Sequence, residues 1–332
     1  MLRRCAPRND VFFRCVLRND VYRWVLRNDV FHCAPRNDVF HCVPCNNVFR
    51  CGLRNDVFHC VLRNDKVKKK KVKMFEAYMK KEIQKYEEMC LNGHVALNTF
   101  FYDGWILKFS EGYTGRANSV SLLYPSSLPV ADKVVFCEQM YKKQKLPCQF
   151  KLTELDTELN DFLEKRGYEV ATPTDLMVCD LGCPVEPDND NSSPDDDSQI
   201  EYVFSKTPEE WLPLFFKIHD INDAHDQYVY TRMVDKVLVD TIYCTVLYKG
   251  KPAACSSAAI ENGYMLLQNV IVSSELRGHG LGKKVCSAIL KKAYEAGAHH
   301  SYLQVVQTNT VAVNLYKKLG FEKLYSYWYM KN

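Results

Sequence analysis

No run of apolar residues in this 332-residue chain approaches the ~20 that a helix needs to span a bilayer. The N-terminus carries neither the apolar stretch nor the small-residue cleavage site of a signal peptide. Both absences point to a soluble, cytoplasmic protein with no membrane partner. Paired cysteine spacing is missing too. Of 15 cysteines, seven lie before residue 74 and eight are scattered beyond it, which reads as reduced thiols rather than a disulfide framework. Cys244, Cys255 and Cys286 are expected as small core residues.

A strong charge of one sign is absent only in the sum. The net +4 adds two unlike regions: residues 1–73 hold 17 Lys+Arg against 6 Asp, and the remainder 27 Lys+Arg against 34 Asp+Glu. The body is acidic, and all the basicity sits in an N-terminal arm. The length allows two domains, each with its own core.

The arm is a repeat. Arg-Asn-Asp recurs at 8–10, 18–20, 27–29, 36–38, 54–56 and 63–65, with a nine-residue period after the first interval. The period is shorter than that of self-packing intracellular repeats, and the copies lack the glycines that would let a β-helix turn. Cys42, Cys45, Cys51, His59 and Cys60 could supply zinc ligands, and the Arg/Lys content with interleaved Phe could hold nucleic acid. The Cys and His positions only follow the repeat beat, however, so neither a metal nor a nucleic-acid partner is expected. A nine-residue protein period is a 27-nucleotide DNA period. The arm, with KVKKKKVK at 66–73, therefore reads as translated tandem-repeat DNA ahead of a start at Met74, poorly ordered and dispensable.

The chemistry concentrates at residues 271–282, IVSSELRGHGLG. A hydrophobic strand, MLLQNVIV (265–272), runs into Arg277-Gly278-His279-Gly280-Leu281-Gly282, and a basic amphipathic helix follows at once. Glycines there let the backbone turn tightly and aim successive N–H groups into one concavity at a helix N-terminus, a place suited to phosphate oxygens. SYLQVV (301–306) reads as the next buried strand. A helix in NTVAVNLYKKLGFEK (309–323) follows, with Val311, Leu315 and Leu319 on one face and a stop at Gly320. This order, with Arg277, Gly280, Gly282, Asn309, Ala312, Leu315, Tyr316, Leu319, Gly320 and Phe321 at the matching places, resembles the GNAT superfamily of acetyl-CoA-dependent N-acetyltransferases over residues 200–332.

The preceding segment repeats the pattern. DKVVFCEQMYKKQKLPCQFKL corresponds to KKVCSAILKKAYEAGAHHSYLQV, and DFLEKRGYEV to NLYKKLGFEK. The expected organisation is an α/β (α+β, mixed-sheet) protein of two tandem GNAT-like lobes. Its parts are the arm 1–73, a degenerate lobe 74–181, an acidic flexible linker 182–199 and a catalytic lobe 200–332. In the first lobe Ser126-Ser-Leu-Pro-Val-Ala131 stands where the second has its glycine loop. Pro129 removes an amide at the place of Gly280, Ala131 replaces Gly282, and Leu163 stands where Tyr316 stands. Arg116, Asn118 and Ser119 form the first lobe's one polar cluster, read as a strand edge or as part of an acceptor pocket.

The resemblance implies direct acetyl transfer from acetyl-CoA to an amine, with no metal. Backbone groups of Val270, Ile271 and Val272 would bind the pantetheine arm and polarise the thioester. Amides of Gly278, His279, Gly280, Leu281, Gly282 and Lys283 would hold the pyrophosphate, with charge from Arg277 or Lys283. Asn309 would bond the cofactor or cap its helix, and Tyr316 would protonate the leaving thiolate. Many relatives carry a glutamate base on the central strand, where this chain offers Gln268 and Asn269. Glu275, Asp226, His225 and Asp223 are substitutes. The expected acceptor is a small-molecule or peptide-like amine, used by a monomer or homodimer. The alternatives are a protein lysine or N-terminal acetyltransferase and a non-catalytic acyl-CoA sensor.

Overall fold

In a computed structural model, residues 76–181 and 198–332 are described. The expectations for residues 1–73, and for the acidic segment up to 197, lie outside them. The chain divides into Met1–Lys81 and Glu82–Asn332, and the second unit holds every element that follows apart from the start of the first helix.

The elements alternate in the order the periodicities suggest. Helix α1 (Asp65–Gly93) leads into strands β1 (Asn98–Tyr102), β2 (Trp105–Phe109) and β3 (Val120–Leu122), helix α2 (Val130–Lys143), β4 (Gln149–Thr153), α3 (Thr157–Lys165) and β5 (Glu169–Asp180). Then come β6 (Ile200–Ser205), α4 (Pro208–His219), α5 (Ala224–Val234), β7 (Asp240–Tyr248), β8 (Lys251–Glu261) and β9 (Tyr264–Val272). Helix α6 (Leu281–Glu295), β10 (His300–Val306), α7 (Thr310–Lys318) and β11 (Glu322–Lys331) close the chain.

All these strands join one 11-stranded mixed sheet in the order β6-β7-β8-β9-β10-β5-β11-β4-β3-β2-β1. The duplicated halves are therefore interlocked. β5, the last strand of the first half, inserts between β10 and β11 of the second. β11, the last strand of the second, pairs with β4 of the first. Each half completes the other's sheet, and the strand order is matched outward on either side of the β5–β11 pair. Met330, on β11, is fully buried in the first half's core with Phe150, Leu152 and Leu163.

Alternation along the strands sorts the helices to two faces. Trp105, Leu107, Phe150 and Leu152 pack under α2 and α3, while Met265, Leu267, Leu303 and Val305 pack under α6 and α7. The opposite face carries Leu266, Tyr302, Tyr325 and Tyr327 against Ile83, Tyr86 and Met89 of α1. Those three repeat at helical spacing and make the apolar stripe of α1. Helices α4 and α5 cover the same face through Trp211, Phe215 and Tyr230. On α7, Tyr316 and Leu319 are buried and Leu315 half-buried, but Val311 is 81% exposed. Leu315 and Leu319 of the expected stripe pack into the core with Ala312 and Tyr316, and only Val311 falls outside it. Gly320 ends the helix at φ +88, its amide bonding Lys317 and that of Phe321 bonding Tyr316, the paired closure that favours glycine. Cys244, Cys255 and Cys286 are fully buried free thiols.

Candidate active site

The central feature is a split in the sheet. β9 and β10 pair in parallel only at Tyr264–His300, Met265–Ser301 and Leu266–Tyr302. Beyond Leu266 the two strands part, leaving the edges at 268–272 and 303–306 without each other. β9 diverges at a bulge, where one residue of β8 faces Asn269 and Val270 together. Asn269 takes φ +57 there, a left-handed conformation asparagine tolerates better than most residues, and its Nδ2 donates to Ser257 Oγ at 2.7 Å. Val270, Ile271 and Val272 follow the bulge, half-buried, along the open edge.

The glycine loop lies at the end of that edge. Gly278 and Gly280 adopt φ +87 and +73, and no atom lies within 4 Å of where their Cβ would be, so open space stands above the loop. Gly280 caps α6 with no side-chain bond, and the first-turn amides of a helix have no intrahelical acceptor. Gly282 is the close-packing glycine, its Cβ position 3.4 Å from Leu315 and 3.6 Å from Val272. Arg277 is exposed and reaches back to the Val272 carbonyl at 3.5 Å. His279 is exposed, Leu281 is buried and Lys283 half-buried. The backbone amides of this loop, beside positive-φ glycines at a helix N-terminus, suit a pyrophosphate. Asn309 caps α7, accepting from the Ala312 amide at 3.2 Å.

Tyr316 lies on the α6–α7 face, 8% exposed, with its ring edge-on to Phe321 at 5.9 Å. Burial pushes its phenol up, so it keeps its proton at neutral pH. Among the described residues no group hydrogen-bonds its hydroxyl.

The opposite face of the split holds residues that sequence spacing could not connect. Gln268 on β9 and Gln304 on β10 both point toward α1. Gln268 Nε2 donates to the Gly93 carbonyl at 2.9 Å, and Gln304 Nε2 lies 3.1 Å from Cys90 Sγ. Gly93 must be small here, since a Cβ would sit 2.9 Å from Leu266 and 3.0 Å from Ala259. That close approach sets His94 beside the bulge. His94 Nε2 and Gln268 Oε1 are both buried without a partner among the described residues, and the two side chains line a cavity of about 20 Å³ with Tyr230, Tyr243 and Ser257. The volume and the paired orphan atoms fit one water. Burial pushes the imidazole of His94 well down, and the charges of Arg116, Lys108 and Lys151 push it further, so it is neutral.

Of the substitute bases considered from sequence, Asp223 caps α5 through the Asp226 amide, and His225 Nε2 lies 3.5 Å from Glu111 at the surface. Asp226 heads the same exposed turn, and Glu275 is exposed in the short turn before the glycine loop. None of them lines the cavity. His94 does, although it belongs to the first half. No local pattern marks it; only the fold brings it to β9.

The first half's own loop is closed. The Asp103 carboxylate accepts from the amides of Leu128 at 2.9 Å and Ser127 at 3.0 Å, from Ser127 Oγ at 2.7 Å, and pairs with Lys133 Nζ at 3.1 Å. An internal anion fills the place where the second half presents open amides.

A family described as probable histone acetyltransferase Rv0428c C-terminal matches residues 81–330. A Bacillus subtilis (strain 168) protein named uncharacterized N-acetyltransferase YobR is 26% identical over 227 residues, 68% of this chain and 88% of that protein. A GCN5-related N-acetyltransferase from Kribbella flavida superposes with a TM-score of 0.56 at 14% identity, covering 75% of this chain and 95% of that one. A tandem GNAT protein from the clavulanic acid biosynthesis pathway superposes with a TM-score of 0.52 at 15% identity, covering 64% and 74%.

Proposed function

This chain belongs to the GNAT superfamily of N-acetyltransferases, in the family described as probable histone acetyltransferase Rv0428c C-terminal, and on that premise we propose that it acetylates a small amine at the split between β9 and β10. Acetyl-CoA is the donor. Its pyrophosphate rests on the amides from Gly278 to Lys283, and its pantetheine arm runs along Val270–Val272. The acetyl group passes through the split to the α1 face.

There the acceptor amine waits beside His94 and Gln268. A water donating to the neutral His94 Nε2 and to Gln268 Oε1 turns its lone pairs outward, so it can take a proton leaving the acceptor ammonium and pass it on to solvent, with His94 as the group that positions it. The free amine then attacks the thioester carbonyl. A C–N bond forms, the oxyanion is held by β9 amides, and the C–S bond breaks. The thiolate takes the proton of Tyr316 on the other face; the second proton shed by the new amide nitrogen leaves to water, and the Tyr316 phenolate is reprotonated from that water.

The supporting observation is the pair of orphaned buried atoms, His94 Nε2 and Gln268 Oε1, at the bulge where a strand carboxylate is missing. The test is amine-dependent thiol release from acetyl-CoA by the full chain. The wild type should release thiol with at least one amine, and His94→Leu, which removes the group that positions the proton-accepting water, should lower the rate about 10²-fold with acetyl-CoA affinity kept. Acetyl-CoA binding without release under any amine would overturn the reading.

A further inference from the structure

Two basic side chains on the α1 face, Lys108 buried and Arg116 half-buried, have no carboxylate partner among the described residues. Lys108, on β2, is 4% exposed, and burial first, then the charge of Lys151, pushes its ammonium down to about 7. Lys151 is neutralised: its Nζ lies 2.6 Å from the Glu87 carboxylate, which also accepts from Tyr325 at 2.7 Å. Glu87 is thereby occupied. Among the described residues no carboxylate pairs with Lys108 or with Arg116, whose one polar partner is Gln304 Oε1 at 3.4 Å.

The Arg116 side chain makes none of the bonds that order its own loop. Its loop, between β2 and β3, is organised without it. Asn118 Oδ1 accepts from the amides of Ser110 at 2.7 Å and Gly112 at 3.1 Å, and its Nδ2 donates to the carbonyls of Tyr113 and Thr114. Gln149 Nε2 donates to the carbonyls of Gly115 and Asn118. Thr114 nevertheless takes φ +61, an unfavourable conformation for a β-branched residue, and its buried hydroxyl is unpaired. The strained loop delivers the guanidinium to Gln304, just past the point where β9 and β10 part. Tyr113 of the same loop packs on Tyr230 at 5.4 Å, and Tyr230 lines the His94 cavity.

We propose that the acceptor amine carries an anionic group, carboxylate or phosphate, bound by Arg116 with Lys108 at the mouth of the split. The anion supplies the counter-charge that no described carboxylate gives these two side chains, with a guanidinium fork as the geometric determinant. The first half thus selects the acceptor while the second binds the donor. The same charge disfavours a polycationic tail. The assignment rests on the transferase reading for what happens to the bound molecule, but not for its binding.

Calorimetry on the full chain tests it with matched amines: lysine against cadaverine, and phosphoethanolamine against ethanolamine. The anionic member of one pair should bind at least about tenfold tighter, and which pair responds identifies carboxylate or phosphate. Arg116→Met and, separately, Lys108→Met should erase that preference while acetyl-CoA affinity stays unchanged. Equal affinity within both pairs, or a preference surviving both substitutions, overturns the proposal. A preference without thiol release upholds the anion site and overturns the transferase reading instead.

Discussion

The carboxylate of Asp103 sits on the amide of Leu128 at 2.9 Å, in the loop whose counterpart in the second half is built from glycines. Asp103 comes from the turn between β1 and β2, and with Gly104 it takes φ +41 and +80, the Asp-Gly geometry of a tight hairpin. The duplicated half has filled its anion site with its own side chain. The bond from Leu128, with those from Ser127, holds the carboxyl below its usual range. A depressed carboxylate stabilises the fold above its unfolded pKa and ceases to as pH falls through the folded value. Asp103→Ala should therefore lower the Tm at pH 7, with a deficit that narrows below about pH 4. Thermal melts across pH check it; a constant deficit would contradict the role.

Lys108 works in the opposite sense. Its ammonium is disfavoured by burial, so the folded protein holds fewer protons than the unfolded chain between about 7 and the ordinary lysine value. Wild-type stability should rise with pH through that window. Lys108→Met should stabilise by roughly 1–4 kcal/mol near pH 7, as replacement of a buried ion by a hydrophobe can do. The gain should shrink toward pH 10. Denaturant melts at several pH values decide it, and a gain independent of pH would mean that the lysine is not the titrating group.

Tyr316→Phe removes a hydroxyl with no hydrogen-bond partner among the described residues and leaves the ring against Phe321. The substitution should cost little stability and leave acetyl-CoA affinity intact, while turnover falls about 10²-fold or more. An unchanged rate in a steady-state thiol assay would return Tyr316 to a purely structural role.

Interlocking makes the two halves one cooperative body. Met330 is fully buried in a core whose other buried members lie more than 150 positions earlier, among them Phe150, Leu152 and Leu163, with Trp328 packed against it. Met330→Ala should cost about 2–5 kcal/mol. Both halves should melt together in one transition, followed by Trp105 fluorescence in the first half and Trp211 in the second. Separate transitions would contradict the exchanged strands.

Much of the second half was legible because its signals are local. Gly278 and Gly280 need positive φ, Gly320 ends a helix, and strand and helix periods alternate around them. The duplication was legible for the same reason, since Pro129 and Leu163 fall at aligned positions. The exchange of β5 and β11 was not, because both strands satisfy the same alternation whichever neighbour they pair with. His94 carries no motif, and its role depends on Gly93 allowing α1 to approach Leu266. Arg116 was visible as part of a polar cluster, but its lack of a carboxylate partner appears only in three dimensions. On α7 only Val311 departs from the expected stripe, since the core takes Ala312 and Tyr316 together with Leu315 and Leu319.

Acetyl-CoA binding tests the central claim most directly. Calorimetry on the full wild-type chain should show binding, and Gly280→Pro should abolish it with the circular dichroism unchanged. The substitution removes one amide and forbids φ +73, giving the second half the proline that its counterpart already has at Pro129. No binding by folded wild type, or equal binding by the variant, would mean that the glycine loop is only a turn.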